Sequence, residues 1–87
     1  MAMKALFAVW GALANGSPTN ALAENVTGKL QQFFNDGVTT ITINDANFND
    51  PAVGFTKHFG AMVDRGDHVS YYACQEGQTI NFDSPSH

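Results

Sequence analysis

The chain is poor in positive charge. Lys4, Lys29, Lys57 and Arg65 are its only basic residues, set against eight acidic ones, for a net charge of −4 in 87 residues. Neutralising nucleic-acid phosphates takes several cations on one face. These four are scattered, so neither nucleic acid nor an anionic membrane surface is an expected partner. Cysteine is scarcer still: Cys74 is alone, which excludes an internal disulfide and leaves the fold to packing. Two readings of Cys74 stay open, a small buried hydrophobe or a link between two chains in an oxidising compartment. Long apolar runs are missing too. Lys4 followed by Ala-Leu-Phe-Ala-Val-Trp-Gly-Ala-Leu-Ala imitates a secretory signal, but the charged region is a single Lys and the run falls well short of the ~20 residues of a membrane span. It reads as a buried strand. With no recognised signal the default compartment is cytoplasmic, and secretion without a cleaved signal stays open. There is no Gly-rich phosphate loop and no Ser-centred elbow, and the residues beside Cys74 (Tyr72, Ala73, Gln75, Glu76) offer nothing to lower its thiol pKa. An enzyme is not expected, and no cofactor is implied.

What the chain does have is apolar volume. Hydrophobic residues make up 44% and charged residues 14%, with seven Phe, one Trp and two Tyr, the balance of a globular chain rather than a disordered one. Its length suits one domain spanning 1–87. From Met3 to Trp10 bulky residues occupy both alternating sets, Leu6 and Trp10 on one and Phe7 and Val9 on the other, which predicts a strand covered on both faces. Asn15 to Asn20 is a loop. From Ala21 to Phe34, Leu22, Val26, Leu30, Phe33 and Phe34 recur at helical spacing and predict an amphipathic helix, with Asn25 as the cap of a shorter alternative starting at Val26 and Asp36-Gly37 as its stop. Asn25-Val26-Thr27 also matches the N-glycosylation pattern, which matters only in a secretory pathway. Val38 to Ile43 predicts a strand with Ile41 and Ile43 inward. The segment Asn44 to Lys57 follows, the centre of the chain and a loop by composition. Strands are expected over Phe55 to Val63 and His68 to Cys74, joined as a hairpin by Asp64-Arg-Gly-Asp67. Glu76-Gly77 then turns into a strand over Gln78 to Phe82, completing a three-stranded meander, and Asp83 to His87 reads as a loose tail. The expected class is α+β, an antiparallel sheet or small sandwich of about five strands packed with one amphipathic helix.

The series Trp10-Gly11, Val26-Thr27 with Leu30-Gln31, Phe48 with Asp50-Pro51 and Gly54, Lys57, and a strand pair ending near Glu76-Gly77 resembles the C-terminal domain of the mitochondrial DnaJ-like subfamily C member 11 protein. It is similar also to small stand-alone fungal relatives of that domain, some grouped with immunomodulatory proteins. The likeness covers roughly residues 5 to 82. Asn25 stands where the family pattern usually has Asp, and Val53 where it usually has Pro; Asn keeps the capping role and Val loses some loop rigidity. The resemblance implies a non-enzymatic β-rich domain used for association, and it brings no catalytic residues with it.

Three constellations deserve weighing against plainer explanations. Asp45, Asn47, Asn49 and Asp50 begin like a calcium loop, but Asp50 stands where the turn glycine belongs, Pro51 follows, and the twelfth position is Thr56 rather than Glu. A turn held by Asx hydrogen bonds explains the same residues. His58, His68 and Cys74 share parity on the two hairpin strands, yet three ligands with no close-spaced pair are a weak zinc signal, so no metal is expected. Trp10, Phe48, Tyr71 and Tyr72 offer rings for sugar stacking beside the amides of Asn47 and Asn49, with core packing as the plainer role, above all for Trp10. The reading that follows is a protein-association module acting as a homodimer, because one helix covers only one face of the Met3–Trp10 strand. The alternative is a small lectin-like protein using Asn44 to Asp50. Candidate contact residues on either reading are Trp10, Asn47, Phe48, Asn49, Asp50, Tyr71 and Tyr72.

Overall fold

A computed structural model describes residues 3–85. Nine elements follow one another: strand β1 (Lys4–Leu13), a 3-10 turn (Ala14–Gly16), β2 (Ala21–Asn25), helix α1 (Thr27–Asn35), β3 (Thr40–Thr42), helix α2 (Asp45–Phe48), β4 (His58–Asp64), β5 (Val69–Gln75) and β6 (Thr79–Asn81). The strands form an antiparallel four-stranded sheet, ordered β2-β1-β4-β5, and a separate antiparallel ribbon of β3 and β6. The class is α+β, as the apolar patterning predicts.

Between Asn15–Gly16 and Asn25 the chain departs from expectation. Asn15 and Gly16 take left-handed φ values of 51° and 70°, which turns β1 back on itself, and Ala21–Asn25 then pairs with Val9–Leu13 as a strand rather than opening the helix. The helix is the shorter alternative. Asn25 Oδ1 accepts the Thr27 backbone N–H at 3.0 Å and the Thr27 hydroxyl at 2.6 Å, so the Asn-Val-Thr triplet is the pivot from strand into α1. At the other end Gly37, with φ 78°, lets its own N–H and that of Val38 reach the carbonyls of Phe34 and Phe33, a Schellman closure.

Because β2 covers only the second half of β1, α1 completes the first half. Gln31 Oε1 accepts the Ala5 N–H at 2.7 Å, Thr27 Oγ1 accepts the Ala8 N–H at 2.9 Å, and the Ala8 carbonyl takes the Val26 N–H. A register shift between Ala5 and Phe7 resets the alternation of β1. Ala5, Ala8 and Trp10 therefore face inward while Leu6 and Phe7 are exposed, so Leu6 does not share the side of Trp10 and only one face of the strand is covered.

The core lies between the sheet and a second layer made of α1, the ribbon and α2. Leu30, Ile41, Ile43, Phe48 and Phe82 from that layer meet Trp10, Phe59 and Val63 from the sheet. Phe48 is the hub of the aromatics, with ring centroids 5.4 Å from Phe59, 5.9 Å from Phe33 and 6.3 Å from Trp10. The expected meander does not form. Gly77 turns with φ 92°, and β6 leaves the sheet to pair with β3, Ile80 opposite Ile41, which carries Phe82 into the core. The segment after it is tied down: the Arg65 guanidinium donates to the Phe82 and Asp83 carbonyls, the Tyr72 hydroxyl to the Ser84 carbonyl at 2.9 Å, and Thr39 to the Asp83 carboxylate at 2.8 Å. Of the expected loose tail, residues 86 and 87 lie outside the described residues.

Candidate functional site

Two surfaces compete: the central segment, and the sheet face turned away from the core. The central segment closes on itself. Asn44 caps α2, its Oδ1 accepting the Asn47 N–H at 3.0 Å, and the Asn47 amide donates to the Thr42 carbonyl at 2.7 Å. Asn49, at φ 76°, offers its carbonyl to the Trp10 indole N–H at 3.0 Å and its amide to Glu24 at 3.4 Å. The expectation of Asx hydrogen bonding holds here, and the amides proposed for a ligand serve the loop.

Beneath them lies Lys57, which the sequence placed on a strand and the structure draws out of it, so that β4 begins only at His58. Its side chain is 2% exposed, and its ammonium stands 2.8 Å from Asp50, 3.3 Å from Asp45 and 3.6 Å from Glu76, while donating to the Ala52 and Phe55 carbonyls at 3.1 and 3.0 Å. Glu76 also accepts the Lys57 backbone N–H at 2.9 Å. Burial alone works against the charge, but the hydrogen bonds it donates to Asp50 and Asp45 and the charges of Glu76 and Asp45 outweigh it and raise the lysine pKa. An ammonium held this firmly is a structural cation and not a nucleophile. The positive charge these carboxylates gather around is the chain's own. A polar cleft of about 420 Å³ opens beside it, lined by Asp45, Thr56, Gln75 and Glu76 among others.

The remaining candidates separate. Trp10 and Phe48 are wholly buried, so these two expected contact residues offer no surface; both are core. Tyr72 faces inward, its ring 4.8 Å from Phe82. Tyr71 points the other way and is 62% exposed. The histidines and the cysteine do not gather either. Phe59, not His58, is the register partner of Cys74, which puts His58 and Cys74 on opposite faces, because the turn length pairs even positions of β4 with odd positions of β5. His68 Nδ1 lies 2.6 Å from Asp67 in the turn. Among the described residues no group of three or more His, Cys, Asp or Glu is placed to hold a metal ion. Cys74 packs partly buried against the core, and desolvation pushes its thiol pKa up, the small-hydrophobe reading.

Sequence reasoning left one face of the Met3–Trp10 strand open and named Tyr71, but it did not find the row that Tyr71 joins on the outer sheet face. Phe7, Met62 and Tyr71 are register partners across β1, β4 and β5, and they are 44%, 37% and 62% exposed. Val69 and Leu13 extend the apolar surface at either end. In the next row Val9, Gly60 and Ala73 are partners. The signal was present in the alternation of β4 and β5, but using it required the register. No helix among the described residues is long and apolar enough to cross a membrane. No family model, curated protein or solved structure matches the chain.

Proposed function

We propose that the chain is a non-enzymatic protein-association module and that it works as a homodimer through the outer face of its four-stranded sheet. The observation that carries this reading is the row Phe7–Met62–Tyr71, three large side chains side by side on a sheet face that none of the described helices or strands covers. Contiguous apolar surface of this kind is unfavourable in water and marks a contact site. The chemistry elsewhere supports a non-enzymatic role, since the lysine beside the cleft is held as a cation and Cys74 has a raised pKa. The resemblance to the C-terminal domain of the DnaJ-like subfamily C member 11 protein points the same way, and with it comes the proposal of an immunomodulatory role like that of the small fungal relatives. Sedimentation equilibrium from about 1 to 100 μM tests the dimer in the range expected of small interfaces. A mass that rises with concentration from one to two chains is the expected result; a single-chain mass throughout overturns it.

A further inference from the structure

The glycine at the centre of this face has no internal reason to be glycine. Gly60 sits mid-strand in β4 with sheet neighbours on both sides, Val9 in β1 and Ala73 in β5. Its φ is not among the positive values of the chain. A Cβ placed on it would meet only Val9 Cγ1, at 3.8 Å, which is ordinary contact. Neither backbone nor packing therefore demands the missing side chain, while glycine inside a strand costs stability and leaves the sheet unfilled. A strand glycine in that position marks the close approach of something from outside.

The relief around it says what fits. Gly60 and Ala73 form a low row directly beside the high row of Met62 and Tyr71. A ridge next to a parallel trough is complementary to a second copy of itself. With a twofold axis between two facing sheets, perpendicular to the strands and midway between the rows, each ridge falls into the other trough. We infer that the partner on this face is a second copy of this chain, packed sheet against sheet, with Met62 seated over the second copy's Gly60.

Charge favours the same occupant. Among the described residues, Lys4 and Asp64, register partners at one end, are the only formally charged ones that the strand alternation places on this face. Two chains of net charge −4 meet with least repulsion there, whereas Asp45, Asp50 and Glu76 cluster at the cleft on Lys57. The size fits a modest interface. Four strands about 4.8 Å apart and seven residues of about 3.3 Å each give a footprint of roughly 19 by 23 Å. Two such faces bury about 900 to 1,200 Å² in all, the lower end of specific interfaces, which predicts micromolar rather than nanomolar association.

This inference rests on the homodimer reading, and the test separates the two. Wild type, Gly60→Ala and Gly60→Val are compared by sedimentation equilibrium and by thermal unfolding at a concentration where all are monomeric. Both variants are expected to keep or raise Tm, since a Cβ at this position makes only an ordinary contact with Val9, and to weaken the dimer in order of size, Gly60→Val by about tenfold or more. A dimer of unchanged affinity in both variants overturns the packing while leaving the homodimer standing on another surface, such as the open edge of β5. If Gly60→Val fails to fold, Gly60→Ala alone decides, because its single methyl has room. A wild type that stays monomeric removes reading and inference together.

Discussion

The Lys57 ammonium lies 2.8 Å from the Asp50 carboxylate with only 2% of its side chain in contact with solvent. This pair ties the middle of the central segment to its last residue, and Asp45 and Glu76 draw α2 and the β5–β6 turn to the same point. Lys57→Met removes the cation and leaves three half-exposed carboxylates facing one another. The expected cost is about 3 kcal/mol, the low end for breaking a buried pair because the acidic partners retain some water. Chemical denaturation checks it, and a loss below 1 kcal/mol would show that the carboxylates relax into solvent.

The same lysine sets an alkaline limit. Its folded pKa lies above the ordinary value of 10.5, so its contribution is complete below the unfolded value and is lost as pH rises through the folded one. Tm should fall beyond about pH 10.5 more steeply in the wild type than in Lys57→Met. Parallel pH profiles for the two proteins would contradict this.

Ser70 is fully buried on the inner side of β5, and its hydroxyl has no hydrogen-bond partner among the described residues. An unsatisfied buried hydroxyl is a desolvation cost with nothing set against it. Ser70→Ala is expected to be neutral or to stabilise by up to about 1 kcal/mol. A clear loss of stability would reveal a partner for the hydroxyl.

Thr27 joins helix to sheet through one oxygen, which accepts from the Ala8 N–H and donates to Asn25. Thr27→Val keeps the shape and removes both bonds, leaving a partly buried N–H unsatisfied. The expected cost is about 2 kcal/mol, with faster amide exchange at Ala8 than in the wild type. Unchanged exchange at Ala8 would mean that β1 finds another acceptor.

How far the sequence led can be seen from where local pattern sufficed. Ile41 and Ile43 alternate with threonines and do face inward, and Leu30, Phe33 and Phe34 do form the packed stripe of α1. The β4–β5 hairpin was legible from its turn residues. Ala21–Asn25 was not, because Ala and Glu favour helix and Leu22 happens to fall on a helical spacing with Val26; pairing with β1 overrode propensity. The phase of β1 depended on a register shift that leaves no composition signal. Lys57 was hidden by its own type, since lysine is almost never buried unless paired and its partners come from two stretches of chain, Asp45 and Asp50 before it and Glu76 after β5. Phe7, Gly60 and Met62 could be read as one surface only once their strands had been aligned.

The ribbon has a consequence for synthesis. Thr40 pairs with Asn81, and Phe82 packs against both Phe34 and Phe59. A chain emerging from the ribosome can form α1 and the β4–β5 hairpin from local contacts, but the layer over the inner sheet face stays incomplete until β6 and Phe82 have emerged as well. Until then the nascent chain has apolar surface on both sides of its sheet.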